Sequence, residues 1–411
     1  MTNTAALIYD PFSHEAMTNP QPLYRRLRDE APIYKLPQYN AWAVSRFEDV
    51  WALFRERTRF TEAEGQVFAR ELLEAPLGET PPKPRLEPLD LFNNLDPPVN
   101  MLVRRAMMGA LDFGVIDEFE PMLRDVIRQR LDVLAARGRL DLNGELASYV
   151  SAAAACHTVG MATSEAAEVI SIVNRSVARA PGRAGITPDG WAAIADITGR
   201  LKATVTARRS RNIPGDPRMI DGLIALRLPG RGPLNDDEIA LQLVSILIGG
   251  TESLPKVIAA GFRELAHNPE QRAAIAADPA GRAISALEEM IRLFAPAQWF
   301  GRTLKEDGEI CGAPMRAGER VLLLTASANR DDREFPDPDV FKWDRPMRRV
   351  VAFGMGPHLC IGMHIARLEG RLIVEETLKR FPHFSVDEAA GDYAISEFQI
   401  GWMKLPIVVK T

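Results

Sequence analysis

Apolar residues recur at helical spacing along most of this chain and at strand spacing in only a few places. Between Pro22 and Phe60 a helical stretch gives way to a short strand at Ala41-Trp42-Ala43-Val44. A second helix follows through Phe47-Glu48-Asp49-Val50-Trp51-Ala52-Leu53-Phe54. Prolines at 76, 81, 82, 84, 88, 97 and 98 rule out regular helix from Pro76 to Pro98 and predict an irregular loop of the kind that serves as a lid or binding loop. Helical periodicity then dominates from Asn100 to Arg208, with a break at Ala180-Pro181-Gly182-Arg183-Ala184-Gly185 as a second candidate lid. A long helix opens at Asn235, whose side chain can cap it, while Asp236, Asp237 and Glu238 suit the positive end of the helix dipole. Its apolar body runs from Ile239 to Ile248. The last quarter mixes loops with short strands such as Arg320-Val321-Leu322-Leu323-Leu324, and carries one more helix, Met363 to Arg380.

This pattern is mainly α with small β-sheets. The β-rich parts fall at roughly 30–60 and 300–410, around a helical bulk at 100–295. No repeat, low-complexity tract or linker interrupts it, so one domain over residues 1–411 is expected.

The net charge of -5 argues against a broad surface for nucleic acid or anionic membrane, since both need excess Lys and Arg. The cysteines, Cys156, Cys311 and Cys360, are too sparse and odd in number for a disulfide framework and point to a reducing compartment, the cytoplasm. The first residues have neither the basic nor the apolar stretch of a signal peptide. No apolar run approaches the ~20 residues needed to cross a bilayer, so an unanchored protein is expected.

The richest segment is Phe353-Gly354-Met355-Gly356-Pro357-His358-Leu359-Cys360-Ile361-Gly362, directly before the Met363 helix. Cys360 thus stands at a helix N-terminus, where unpaired N–H groups and the dipole favour thiolate, the metal-ligating form. Gly354, Gly356 and Gly362 allow tight turns and a close backbone approach to a flat macrocycle. Cys156 and Cys311, with no such context, read as buried inert thiols.

These ten residues resemble the haem-binding signature of the cytochrome P-450 superfamily, in its bacterial soluble branch, and further matches follow in the family's order from about Asp10 to Trp402. Glu289-Met290-Ile291-Arg292 is similar to the family's Glu-x-x-Arg helix, and Phe335 to Arg345 to the segment whose arginine joins it. The resemblance implies a structural network of Glu289, Arg292 and Arg345; taken bare, the i, i+3 spacing is a surface ion pair of about 0.5 kcal/mol. Gly249-Gly250-Thr251-Glu252-Ser253 resembles the oxygen-activating stretch, with Ser253 where threonine is usual. Two glycines and Pro255, which lacks an N–H for the carbonyl of Thr251, predict a local opening of the long helix. Asp96-Pro97-Pro98 resembles the start of the family's third helix, with Arg104 placed to meet a haem propionate and Asn100 where histidine is common; Arg302 and His358 match other propionate partners.

The resemblance implies a cytochrome P-450 fold with haem b between the long helix and the cysteine-loop helix, and Cys360 on the iron. Phe353, Gly354, Gly356, Gly362, Gly249, Gly250, Arg104, Arg302 and His358 form the cofactor site. It implies insertion of one oxygen atom from O2 into an apolar organic substrate, by hydroxylation or oxidative dealkylation. Glu252, Ser253 and Thr251 handle protons, with Glu252 relaying from bulk water. By family position Val244, Ile248, Trp299, Phe300 and Phe398 line the substrate pocket. With no flavin, nicotinamide or iron–sulfur module in the chain, electrons come from NAD(P)H through ferredoxin reductase and ferredoxin, received by Arg348, Arg349, Arg367 and Arg371. A monomer is expected. The alternatives are a peroxygenase driven by H2O2, a non-catalytic haem-binding sensor, and a helical protein without haem.

Overall fold

A computed structural model describes residues 6–78, 82–111, 113–180, 183–211 and 218–409. Pro81 of the proline-rich loop, and Pro181 and Gly182 of the second break, lie outside the described residues.

The helices that build the site are α1 (Phe47–Arg55), α2 (Val99–Met108), α3 (Phe113–Arg137), α4 (Ser148–Val159), α5 (Pro188–Arg209), α6 (Asp236–His267), α7 (Pro279–Phe294) and α8 (Met363–Arg380). The long helix α6 starts where its sequence predicts. Asn235 accepts the Glu238 N–H at 3.0 Å and the Glu238 carboxylate accepts the Asn235 N–H at 3.1 Å, a reciprocal cap. It packs on α4, α5 and α7, and α8 lies against α3 and α7. By length and composition α6 could cross a membrane, contrary to the expectation that no segment could, but Ile239, Leu243, Leu247, Ile258 and Phe262 are all fully buried within the protein.

One sheet holds β1 (Ile33–Leu36), β2 (Ala41–Val44), β3 (Phe60–Thr61), β4 (Phe300–Leu304) and β5 (Arg320–Leu323), in the order β1-β2-β5-β4-β3. β5 runs parallel to β2 and the other pairs are antiparallel. A parallel pair needs a crossover; here α1 to α7 lie between its two strands in sequence. The sheet thereby joins residues 33–61 to residues 300–323, and β4 carries Phe300 and Arg302. The division by range is less clean than predicted, because Arg139–Asp141, inside the helical bulk, pairs with Pro406–Val408 near the C-terminus.

The proline-rich loop has no α-helix among its described residues, only a single 3-10 turn, Phe92–Asn94. It is tied to α6: the N–H groups of Leu89 and Phe92 donate to Glu238 at 2.8 Å and Gln242 at 2.7 Å.

Candidate active site

A cavity of about 610 Å³ is lined by α6 on one side and by the cysteine loop and the start of α8 on the other. In the loop the Cys360 N–H donates to the Phe353 carbonyl at 2.8 Å, folding the segment back on itself. Gly354 and Gly356 have φ of +68° and +73°, a region open to glycine without steric cost. Gly354 and Gly362 line the cavity, as do Phe353 and His358. Gly356 does not: a Cβ there would stand 2.5 Å from the Phe54 carbonyl oxygen, so this glycine seats the loop on α1 rather than making room for a macrocycle.

The Cys360 side chain opens onto the cavity. Burial pushes its thiol up, and the Gly362 N–H, Arg104 and Arg367, which pull the other way, do not overcome it. A bound cation would add the charge that favours the thiolate. Among the described residues no group of three or more His, Cys, Asp or Glu could hold a metal. One thiol facing a glycine-walled cavity therefore fits a metal whose other ligands come from a flat macrocycle, as in haem. Cys156 is buried as expected, its thiol pushed up to about 12 by desolvation and by Glu165. Cys311 is not buried; it is exposed in a turn with φ of +49°.

The bracing network forms, and it is no surface pair. Glu289 and Arg292 are 0% and 1% exposed. Arg292 donates to both Glu289 carboxylate oxygens, at 2.7 and 2.8 Å, and Arg345 donates to the same two at 3.0 and 3.1 Å. Arg292 also donates to the Asn329 carbonyl at 2.8 Å, and the Asn329 side chain accepts the Val351 N–H at 3.0 Å. Val351 in turn accepts the Gly354 N–H at 3.0 Å. Hydrogen bonds thus run unbroken from Glu289 into the cysteine loop.

On the opposite wall, α6 continues as helix through Gly249, Gly250 and Pro255 without the predicted opening. The glycines make space by lacking side chains: nothing lies within 4 Å of a Cβ built on Gly249, and one on Gly250 would meet only Ala155. Ser253 faces the cavity. Thr251 does not; its buried hydroxyl has no partner among the described residues. Glu252 is buried too, and is ion-paired with buried Lys256 one turn along. The residue expected to relay protons from bulk water is thus held by a cation that the expectation did not include.

The pocket assignments need correction. Ile246, Gly249, Gly250, Ser253 and Val257 line the cavity, whereas Val244 and Ile248, each two residues from Ile246, are turned about 200° around the helix. Trp299 is fully buried beside Phe68 and Phe398, its indole N–H on the Glu397 carbonyl at 2.9 Å. Phe300 and Phe398 do line the cavity, edge to face at 5.7 Å. Neighbours in extended chain point to opposite sides, so only one of Trp299 and Phe300 could face inward. Leu91, Phe92, Asn93 and Asn94 bring the proline-rich loop into the wall, while no described residue of the second break lines it.

Of the propionate candidates, Arg104 lines the cavity and has no side-chain partner among the described residues, and burial lowers its pKa. Arg302 and His358 line it too, but both face Glu62, a residue that no sequence motif singles out. Asn100 is buried, its amide nitrogen 3.3 Å from His358 Nε2, and does not reach the cavity. The proposed docking arginines are mostly committed elsewhere. Arg349 pairs with Glu334 and Glu48, Arg367 with Glu288, and Arg371 with Glu120 and Glu375; Arg348 alone of the four is exposed with no partner among the described residues.

A second carboxyl missed in the sequence is Glu369 on α8, which lines the cavity and accepts the Ser151 hydroxyl at 2.7 Å. Desolvation raises its pKa to about 8 and the Ser151 bond only partly offsets this. At neutral pH it is therefore mostly the neutral acid. Because the folded pKa lies above the unfolded one, the native state holds an extra proton and stability falls as pH rises from about 4.5 to about 8. Glu369→Gln is expected to remove that slope and to be the more stable protein at pH 9 by a few kcal/mol. Parallel melting curves from pH 5 to 9 would show no difference if Glu369 were ionised in the native state.

The cytochrome P450 family model matches residues 284–410. A Mycobacterium bovis protein named as cytochrome P450 123 is 31% identical over 98% of this chain and 97% of its own length. The Mycobacterium tuberculosis beta-dihydromenaquinone-9 omega-hydroxylase is 29% identical over 92% of this chain and 74% of its own. Among solved structures, a cytochrome P450 from Chondromyces apiculatus superposes with a TM-score of 0.82 at 24% identity, over 98% of this chain and 99% of that one.

Proposed function

The chain belongs to the cytochrome P450 family of haem-thiolate monooxygenases, and from that premise we propose that Cys360 binds the iron of haem b and that the cavity above it oxidises a small to medium apolar compound. The observation that carries this reading is the single cavity-facing thiol of Cys360 opposite the bare Gly249–Gly250 wall. Haem, when bound, supplies the binding and activation of dioxygen. Phe353, Gly354 and Gly362 would flank it on the thiol side, with Arg104, His358 and Arg302 as its polar partners.

Ser253 is the proton donor in this reading, since of the two α6 hydroxyls that line the cavity Ser245 is spent on the Gln242 carbonyl at 3.0 Å. Glu252 can exchange a proton with it only after turning away from Lys256, so the Glu252–Lys256 pair acts as a latch on the supply. Ser253→Ala is expected to leave oxygen uptake in place and to lower product formed per O2 consumed by about tenfold or more. Unchanged coupling would remove Ser253 from the mechanism.

The cavity suits an apolar, partly aromatic substrate, because Phe54, Phe92, Phe300 and Phe398 line it with Ile246 and Val257. Hydroxylation or oxidative dealkylation are the reactions it would host, and the omega-hydroxylase relative supports the first. Electrons would come from NAD(P)H through a ferredoxin reductase and an acidic ferredoxin. Exposed Arg348 is one contact; Arg55 and Arg57, beside Met355 and Gly356, are exposed cations with no partner among the described residues.

The locked Glu252 favours a second reading, turnover driven by hydrogen peroxide. Compounds that shift the spin state of the bound haem, tested with a ferredoxin system and separately with peroxide, decide between the two. Product only with the electron supply establishes the monooxygenase, product with peroxide at equal rate the peroxygenase, and none under either supply a non-catalytic haem protein.

A further inference from the structure

Glu62 follows directly on β3 and reaches into the cavity with 2% of its surface exposed. Its Oε1 accepts from Arg302 Nε at 2.7 Å and from the second terminal nitrogen at 2.6 Å, while Oε2 lies 3.3 Å from His358 Nε2. The other terminal nitrogen of Arg302 donates to the carbonyls of Leu53 at 2.6 Å and Glu56 at 2.9 Å. A guanidinium has five N–H groups, so at most one of Arg302's remains. Burial tends to raise the Glu62 carboxyl, but His358 and Arg302 outweigh it and hold it at about 2, a permanent anion. Asp96, whose carboxylate accepts the Glu62 N–H at 3.1 Å, adds negative charge at the same place.

A haem propionate is itself a carboxylate and needs the same donors. We propose that Glu62 is an internal competitor for one propionate, occupying Arg302 and His358 so that Arg104 is the main propionate anchor and the haem is held loosely enough to exchange. The inference rests on the haem site of the preceding section. One fork of N–H groups and one imidazole cannot fully pair two carboxylates, and like charges packed together oppose each other in a buried setting. Removing the competitor frees at least two charge-assisted donors for the cofactor and also leaves the haem-free protein less satisfied. Both effects tighten haem binding.

The test is transfer of haem from the purified holoprotein to excess apomyoglobin, followed by absorption. Glu62→Gln keeps shape and removes charge, whereas Glu62→Ser removes the side chain; either suffices if the other fails to fold. Transfer is expected to slow roughly ten- to a hundredfold in both variants. Arg104→Ala should speed loss from the wild type, and less so in the Glu62→Ser background, where Arg302 and His358 can share the load. Variants that bind haem and lose it as fast as wild type, or an Arg104 effect equal in both backgrounds, overturn the proposal while leaving the haem site standing. A wild-type protein that takes up no haem from haem-replete cells overturns the site and this inference together.

Discussion

Cys360→Ser is expected to lose the strongly red-shifted Soret band that the parent shows when reduced with dithionite under carbon monoxide, and with it all O2-dependent turnover. The sulfur lines the cavity, and no other cysteine does: Cys156 is buried in α4 and Cys311 sits in an exposed turn. Burial disfavours the bare thiolate here, and a bound cation would favour it. A serine hydroxyl, far less acidic than a thiol, cannot make the same bond, and the electron release that a thiolate provides is lost with it. The loop itself should survive, because its shape rests on the Cys360 N–H to Phe353 bond, on Gly354 and on Gly356 against Phe54, none of which uses the sulfur. A variant whose reduced carbon monoxide spectrum matches the parent's would exclude Cys360 as the ligand.

The second large effect is expected at Glu289. This carboxylate is fully buried and accepts four hydrogen bonds from Arg292 and Arg345, and a fifth from the Lys342 N–H at 3.0 Å. Glu289→Gln keeps the volume but leaves two guanidiniums buried without a counter-charge. Stranding a charge in this way costs about 3–5 kcal/mol, seen as a fall in the urea midpoint at unchanged m. Glu288→Gln, one residue away, breaks the partly exposed pair with Arg367 and should cost less than about 1 kcal/mol. Equal midpoints for the two variants would mean that the Glu289 network contributes little. Haem retention should fall with stability in Glu289→Gln, since the network runs through Asn329 and Val351 to the cysteine loop.

How far the site could be read from the sequence depended on how local each feature is. Ten consecutive residues fix the cysteine loop, because its turns need glycine where φ is positive and its metal needs a thiol; a linear pattern carries all of that. The cap of α6 at Asn235 is local in the same sense, a bond between residues three apart. Val244 and Ile248 were misplaced because periodicity finds an apolar face but not which of two buried faces meets a cavity and which a neighbouring helix. Trp299 and Phe300 were both placed in the pocket because the start of β4 was not foreseen.

The residues that were missed are those whose meaning comes from distant partners. Glu62 meets Arg302 and His358 only because the sheet sets β3 beside β4, which are 240 positions apart at the Glu62–Arg302 bond. Lys256 could be seen one turn from Glu252, but sequence spacing describes such a pair as solvated, and burial is what turns it into a lock. Glu369 has no sequence mark at all; its raised pKa is a property of the enclosure that α4 and α8 build around it. The sequence by itself determined the loop that presents the thiol, the mostly helical elements and the glycine wall, since these follow from bonds and sterics within a few residues. Tertiary structure alone decided which charges are free and which are spent, because a charge's protonation and strength depend on burial and on partners that only the folded chain brings together.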